Sequence, residues 1–160
     1  MHIIGVDFTS APSRRKPITV AHCEFTGSNL VMTTLETLVD LSGFEDFLNR
    51  DGPWIAGLDF PFSQSRRFVE NIGWPDEWPA FIRTVAAMSR PEFRAALDAY
   101  KVDRPSGDKE HRRAVDTLAR SISPQKLYGV PVGLMFFEGA KRLLDSDVTI
   151  PYHLHAGDPK

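Results

Sequence analysis

The chain has 160 residues, 42% of them apolar and 25% charged, with a formal net charge of -2. That length supports one domain with a sizeable core, and the balanced charge excludes a global pull toward nucleic acid, so phosphate binding has to come from a local basic patch or bound metal ions. A single cysteine, Cys23, excludes internal disulfides and multi-cysteine zinc sites.

Flanked by His22 and Glu24, Cys23 reads as a packed strand residue, and a reducing, cytoplasmic setting is expected. No apolar run approaches the roughly 18 residues that cross a bilayer, and the chain enters a strand from His2 without a basic leader. Neither secretion nor a membrane partner is expected.

The first stretch, His2 to Ser10, carries the β-branched run Ile3, Ile4 and Val6, the pattern of a strand buried at the centre of a sheet. Asp7, then Thr9 and Ser10, follow at its end. A carboxylate there needs a partner, and Trp54 to Phe62 offers one by repeating the pattern, with Gly57, one apolar residue, Asp59 and Phe60. If the two G-[VL]-D-F strands run parallel and adjacent, Asp7 and Asp59 stand side by side.

Between them, Ala11 to Pro17 reads as a polar turn, Ile18 to Phe25 as a second strand, and Leu30 to Val39 as a third, the three pairing antiparallel. Ser42 with Glu45 forms a capping-box pattern, so Ser42 to Arg50 is expected to be a helix, stopped by Asp51-Gly52-Pro53. A right-handed crossover then sets the second G-x-D strand parallel to the first.

Beyond Phe62 the pattern turns helical. Helices are expected over Ser63 to Asn71, Asp76 to Arg90, Pro91 to Tyr100, Lys109 to Arg120 and Val132 to Leu144, with an irregular stretch from Ser121 to Pro131. Val148 to Ile150 reads as the start of another strand, followed by a polar tail. The fold class is therefore α/β, a mixed sheet of three antiparallel strands, then a helix and a strand parallel to the first, with a helical C-terminal half.

Mg²⁺ and Mn²⁺ take carboxylate oxygens, one or two from the protein, with water and substrate phosphate completing the shell. Asp7 and Asp59 meet that minimum as metal ligands and catalytic acids; otherwise each ends a strand and accepts from nearby backbone amides. Phosphodiester hydrolysis with two ions usually uses three or four acids, and Asp116 is the first candidate for a third, Glu45 the second. Thr9 and Ser10 are candidate phosphate contacts, although hydroxyls after a strand more often cap a turn. Arg14 and Arg15, with Lys16, form one basic group, and Lys109, Arg112 and Arg113 a second; both suit phosphate oxygens, although basic runs are more often simply solvated.

His111 sits in the second group as a candidate base or proton shuttle, against the plainer reading of an exposed helix residue. His153 and His155 alternate in the tail as a weak metal pair. Trp54, Trp74 and Trp78 suit base stacking or, more simply, packing.

The segments H-I-I-G-V-D-F-T-S-A-P, A-G-L-D-F-P-F, H-R-R-A-V-D at 111 to 116 and S-P-Q-K-L-Y-G-V-P-V-G-L-M-F-F-E-G at 123 to 139 together resemble the predicted-nuclease domain-of-unknown-function family 429. The resemblance runs over nearly the whole chain. It implies an RNase H-like fold with a central first strand, a parallel fourth strand beside it, and strand-end acids that hold divalent metal. Members run on into a further strand with an E-x-Y-P-like acid and more helices, so the expectation is a single RNase H-like domain over residues 1–160 lacking that C-terminal part.

Three functions follow as expectations. The first is divalent-metal-dependent phosphodiester hydrolysis, a nuclease with Asp7, Asp59, Asp116 and His111 as catalytic residues, nucleic acid as partner, and no cofactor besides Mg²⁺ or Mn²⁺. The second is a non-catalytic module of the same fold that binds nucleic acid or protein. The third rests on G-V-D-F-T-S, which also looks like the first phosphate loop of actin-like ATPases and sugar kinases, although no second glycine-rich phosphate loop follows.

Overall fold

The computed structural model describes residues 2–151 and 153. The chain divides into two compact units, Met1–Phe60 and Pro61–Lys160. The first holds four strands and one helix: β1 (His2–Asp7), β2 (Ile18–Thr26), β3 (Asn29–Leu38), α1 (Leu41–Leu48) and β4 (Trp54–Leu58). The sheet order is β3-β2-β1-β4, with β1 antiparallel to β2 and parallel to β4. The α/β class and the mixed sheet thus take the expected form.

Side chains alternate across the sheet, so β1 sends Ile4 and Val6 to one face and Ile3, Gly5 and Asp7 to the other. The first face is the core. Ile4, Val6, Phe8, Ile18, Val20 and Leu38 are buried there, and α1 covers them with Phe44, Phe47 and Leu48. Phe8 lies 4.9 Å from the Phe44 ring and 4.6 Å from Phe60, within the range of favourable tilted aromatic pairs.

Two details differ from expectation. Asp40, not Ser42, caps α1: its carboxylate accepts from the Gly43 amide at 2.8 Å, and the Ser42 hydroxyl donates to the same oxygen at 2.9 Å. A carboxylate two residues earlier is an equally good cap and suits the positive helix end, so the helix begins sooner and Ser42 falls inside it. β3 also carries a bulge. His22 pairs with Thr34 and Cys23 with Met32, leaving Thr33 as an extra residue whose hydroxyl donates to the His22 carbonyl.

The second unit is helical, with α2 (Arg66–Ile72), α3 (Trp78–Ala86), α4 (Arg90–Lys101), α5 (Ala114–Leu118) and α6 (Val132–Asp145). Its core is α6, where Leu134, Phe136, Phe137, Leu143 and Leu144 are buried. Phe136 stacks on Phe81 of α3 at 5.5 Å, and Phe137 on Phe93 of α4 at 5.0 Å. Ser89 and Glu92 form a full capping box at the start of α4.

The helix expected over Lys109 to Arg120 shrinks to α5. The His111 amide donates to Gln125 Oε1 at 2.7 Å and its carbonyl accepts the Ser123 hydroxyl at 2.8 Å, so backbone groups that a helix would use are taken by the 123–126 loop. α3 starts at Trp78 rather than Asp76. No strand forms over Val148 to Ile150, where Ile150 is a single bridge residue. His155 lies outside the described residues. Among those described, no helix is long and apolar enough to cross a membrane.

Candidate active site

β1 and β4 run in register, Gly5 beside Gly57 and Val6 beside Leu58, and the Asp59 amide donates to the Val6 carbonyl at 3.1 Å, extending the ladder by one step. Asp7 and Asp59 are therefore neighbours at the C-terminal ends of two parallel strands, on the face opposite α1. Adjacent strands lie about 4.8 Å apart, close enough for both carboxylates to bind one ion. Both residues are exposed.

Burial and the Asp7 charge push the Asp59 carboxyl above its ordinary range, against the lowering effect of the Phe8 amide that it accepts from. A Cβ built on Gly5 or Gly57 would meet nothing within 4 Å. The two glycines leave the sheet surface bare immediately before the acids.

Other residues of this unit fall at different depths. Thr9 and Ser10 are buried directly after β1. Arg14 and Arg15 are exposed at the tip of a turn closed by reciprocal Ser13 and Lys16 backbone bonds of 3.0 and 3.1 Å. Glu45 is on α1, with the sheet between it and the acid pair.

The second unit holds the remaining candidates. Asp116 is buried, and Arg113 grips both its oxygens: Nη2 donates to Oδ1 at 2.6 Å, while Nε and the backbone amide donate to Oδ2 at 2.9 and 2.8 Å. Burial pushes this carboxyl up, but the Arg113 bonds and charge outweigh it and hold it below the ordinary range. The pairing caps α5, a structural use of the acid. Lys109 and Arg112 are exposed on the segment before it.

His111 is buried, not the exposed helix residue of the plainer reading. Its Nε2 lies 2.6 Å from the Tyr100 hydroxyl, which also accepts from Asn71 Nδ2 at 3.0 Å. The Tyr100 hydroxyl and Nε2 thus share one hydrogen bond, and the other ring nitrogen, Nδ1, lies 3.9 Å from Asp108 Oδ1. Burial lowers the His111 pKa, Asp108 opposes this, and Arg67 and Arg104 add to the lowering. Both arginines bond Asp108 at 2.6 Å.

Sequence reasoning missed Tyr100, Asn71, Arg67 and Asp108, because residues meeting across helix ends leave no spacing signal in the chain. It also missed Glu36 on β3. Arg50 binds it in a bidentate pair at 2.7 and 2.6 Å and His22 approaches at 3.0 Å. The Arg50 bonds outweigh burial and, with His22, hold this carboxyl down to about 2. Among the described residues no group of three or more His, Cys, Asp or Glu side chains is arranged to hold a metal ion. Comparison with protein-family models, with curated proteins and with solved structures finds no match for this chain.

Proposed function

We propose that the protein is a divalent-metal-dependent phosphodiesterase of RNase H-like architecture, acting on nucleic acid, with Asp7 and Asp59 as the residues that hold the ion. One observation carries this reading: two carboxylates from adjacent parallel strands share one exposed corner, and the Asp7 charge helps to raise the cost of ionising Asp59. A divalent cation removes that repulsion. Two carboxylates also match what Mg²⁺ takes from a protein when water and substrate phosphate supply the rest.

The central position of β1, between β2 and the parallel β4, supports the RNase H-like reading together with the sequence resemblance. When bound, the ion would supply a more acidic water and charge neutralisation at the phosphate. The chain's own residues do the rest. Asp7 and Asp59 fix the ion, the bare Gly5 and Gly57 surface admits substrate beside it, and Arg14 and Arg15 offer donors to phosphate oxygens from the β1–β2 connection. Asp116, committed to Arg113, serves as the cap of α5 in this reading, and His111, held by Tyr100, as a structural link.

Calorimetric titration with Mn²⁺ and Mg²⁺ tests the proposal without a substrate. Wild type should bind in the micromolar-to-millimolar range, and Asp7→Asn and Asp59→Asn should each abolish binding while circular dichroism is unchanged. Absence of binding by wild type at millimolar metal would overturn it and point to a binding module.

A further inference from the structure

The side chains of β1 on the α1 side of the sheet begin with His2, and register sets Glu24 opposite His2 and His22 opposite Ile4 on that same side. His2 Nε2 and His22 Nδ1 lie 3.2 Å apart, with ring centroids 5.1 Å apart and planes tilted by 30°. On its other edge, His22 Nε2 meets Glu36 Oε2 at 3.0 Å, and Arg50 keeps that carboxylate ionised through bonds of 2.7 and 2.6 Å. An ionised carboxylate only accepts, so Nε2 carries a hydrogen. The neutral His22 ring therefore turns its lone pair, at Nδ1, toward His2.

We propose that His2 Nε2 and His22 Nδ1 are ligands for a borderline transition-metal ion of the Zn²⁺ class, with Glu36 as the positioning residue behind His22. Spacing is the first argument. Two imidazole nitrogens bound to a tetrahedral Zn²⁺ lie about 3.3 Å apart, so this pair already stands at ligand separation. Only direction has to change, because a hydrogen bond runs along the line between the nitrogens and a metal bond roughly 35° off it. His2 is exposed and free to swing, while the His22 side chain, 16% exposed, is held by Glu36.

The bond to Glu36 is the second argument. A metal-binding histidine ordinarily donates its other ring hydrogen to a carboxylate or carbonyl, which fixes the ring and raises its basicity as a ligand. Charge agrees: Glu24, exposed opposite His2, and Glu36 set two negative charges against the single positive charge of Arg50.

This place is independent of the acid pair. The run of strand from His2 to Asp7 is about 17 Å long, and the two side chains leave opposite faces of β1. Ligand chemistry separates them as well, since imidazole nitrogen suits Zn²⁺, Ni²⁺ and Cu²⁺, whereas the oxygens of Asp7 and Asp59 suit Mg²⁺ and Mn²⁺. Among the described residues no third side chain is arranged to join the two histidines, so water completes the shell and the ion is exchangeable.

Calorimetric titration of the untagged full chain with Zn²⁺, in the presence of millimolar Mg²⁺, tests this. Wild type should bind one Zn²⁺ with a Kd on the order of 10 μM. His2→Ala and His22→Ala, made separately so that one folding failure leaves the other, should each weaken binding at least tenfold. Glu36→Ala should weaken it about tenfold with circular dichroism unchanged, the usual effect of removing the partner behind a ligand. Imidazole ¹⁵N spectra of the wild type should show His2 Nε2 and His22 Nδ1 shifting together as Zn²⁺ is added. A wild type that binds no Zn²⁺ below millimolar concentration overturns the proposal. So does binding that survives His22→Ala or Glu36→Ala unchanged, or a shift at His2 Nδ1 in place of Nε2.

Discussion

Asp7 and Asp59 in the sheet unit stand together at the surface with no cation paired to either among the described residues, whereas Asp108 and Asp116 in the helical unit are each gripped by arginine at 2.6 Å. The same side chain is thus held in opposite ways. Where a carboxylate already has its cation, its charge has been spent on folding, and a metal ion would have to displace a well-formed pair. Where two carboxylates share a corner unpaired, the repulsion persists in the folded state and a ligand relieves it. That contrast, rather than the number of acids, separates a candidate site from an architectural one.

The sharpest way to break the comparison is to remove a cation from the helical unit. Arg113→Ala leaves Asp116 buried without its partner and should cost about 3 kcal/mol in urea denaturation. A loss near zero would mean that Asp116 is as uncommitted as Asp7. Tyr100→Phe removes the hydrogen-bond partner of buried His111 Nε2 and should cost about 1–2 kcal/mol, read in the same assay.

Glu36 sharpens the contrast inside the sheet unit, because it is an acid that does have its cation. Its carboxyl is held down to about 2 from an ordinary 4.5, so its contribution is fully present above pH 4.5 and lost as pH falls toward 2. Glu36→Gln should cost about 1 kcal/mol at pH 7 and nothing near pH 2, as thermal melts across that window would show.

Asp59 has the opposite sign. Its carboxyl lies above the ordinary 3.8, so the folded state holds the proton more tightly, and that advantage is present below pH 3.8 and lost as pH rises through the raised value. Without metal, Asp59→Asn should therefore stabilise the protein at pH 7 by roughly 0.5 kcal/mol or less, given its exposure, and have no effect at pH 3. Asp7→Asn should weaken the effect of Asp59→Asn in a double-mutant cycle, since the repulsion belongs to the pair.

The sheet was legible because its information is local. β-branched runs and the repeated G-x-D-F segment announce β1 and β4, and their register follows from aligning the two glycines. In the loop between α4 and α5 the charged, Pro- and Gly-containing stretch from Lys101 to Asp108 was legible, and its continuation from Lys109 to Arg113 was not. The helix expected from Lys109 fails because the His111 backbone bonds Ser123 and Gln125, contacts that span more than ten residues and have no periodic trace. Asp116 illustrates the same limit at a site. Its acid character is visible in the sequence, but its engagement by Arg113, three residues away, takes the same short spacing as a metal pair would and is told apart only by geometry.

Thr33 gives β3 a change of phase. Upstream of it even-numbered residues Leu30 and Met32 point to the face opposite α1; downstream the odd-numbered Leu35 does. Were β3 to pair in unbroken alternation with Thr33 retained, Leu30 and Met32 would swap places with Val31, whereas deleting Thr33 would leave all three on the faces they now hold. The bulge at Thr33 therefore holds the apolar surface of Leu30, Met32 and Leu35 on one side of the sheet, and straightening it would divide that surface between two sides without altering any residue in the chain.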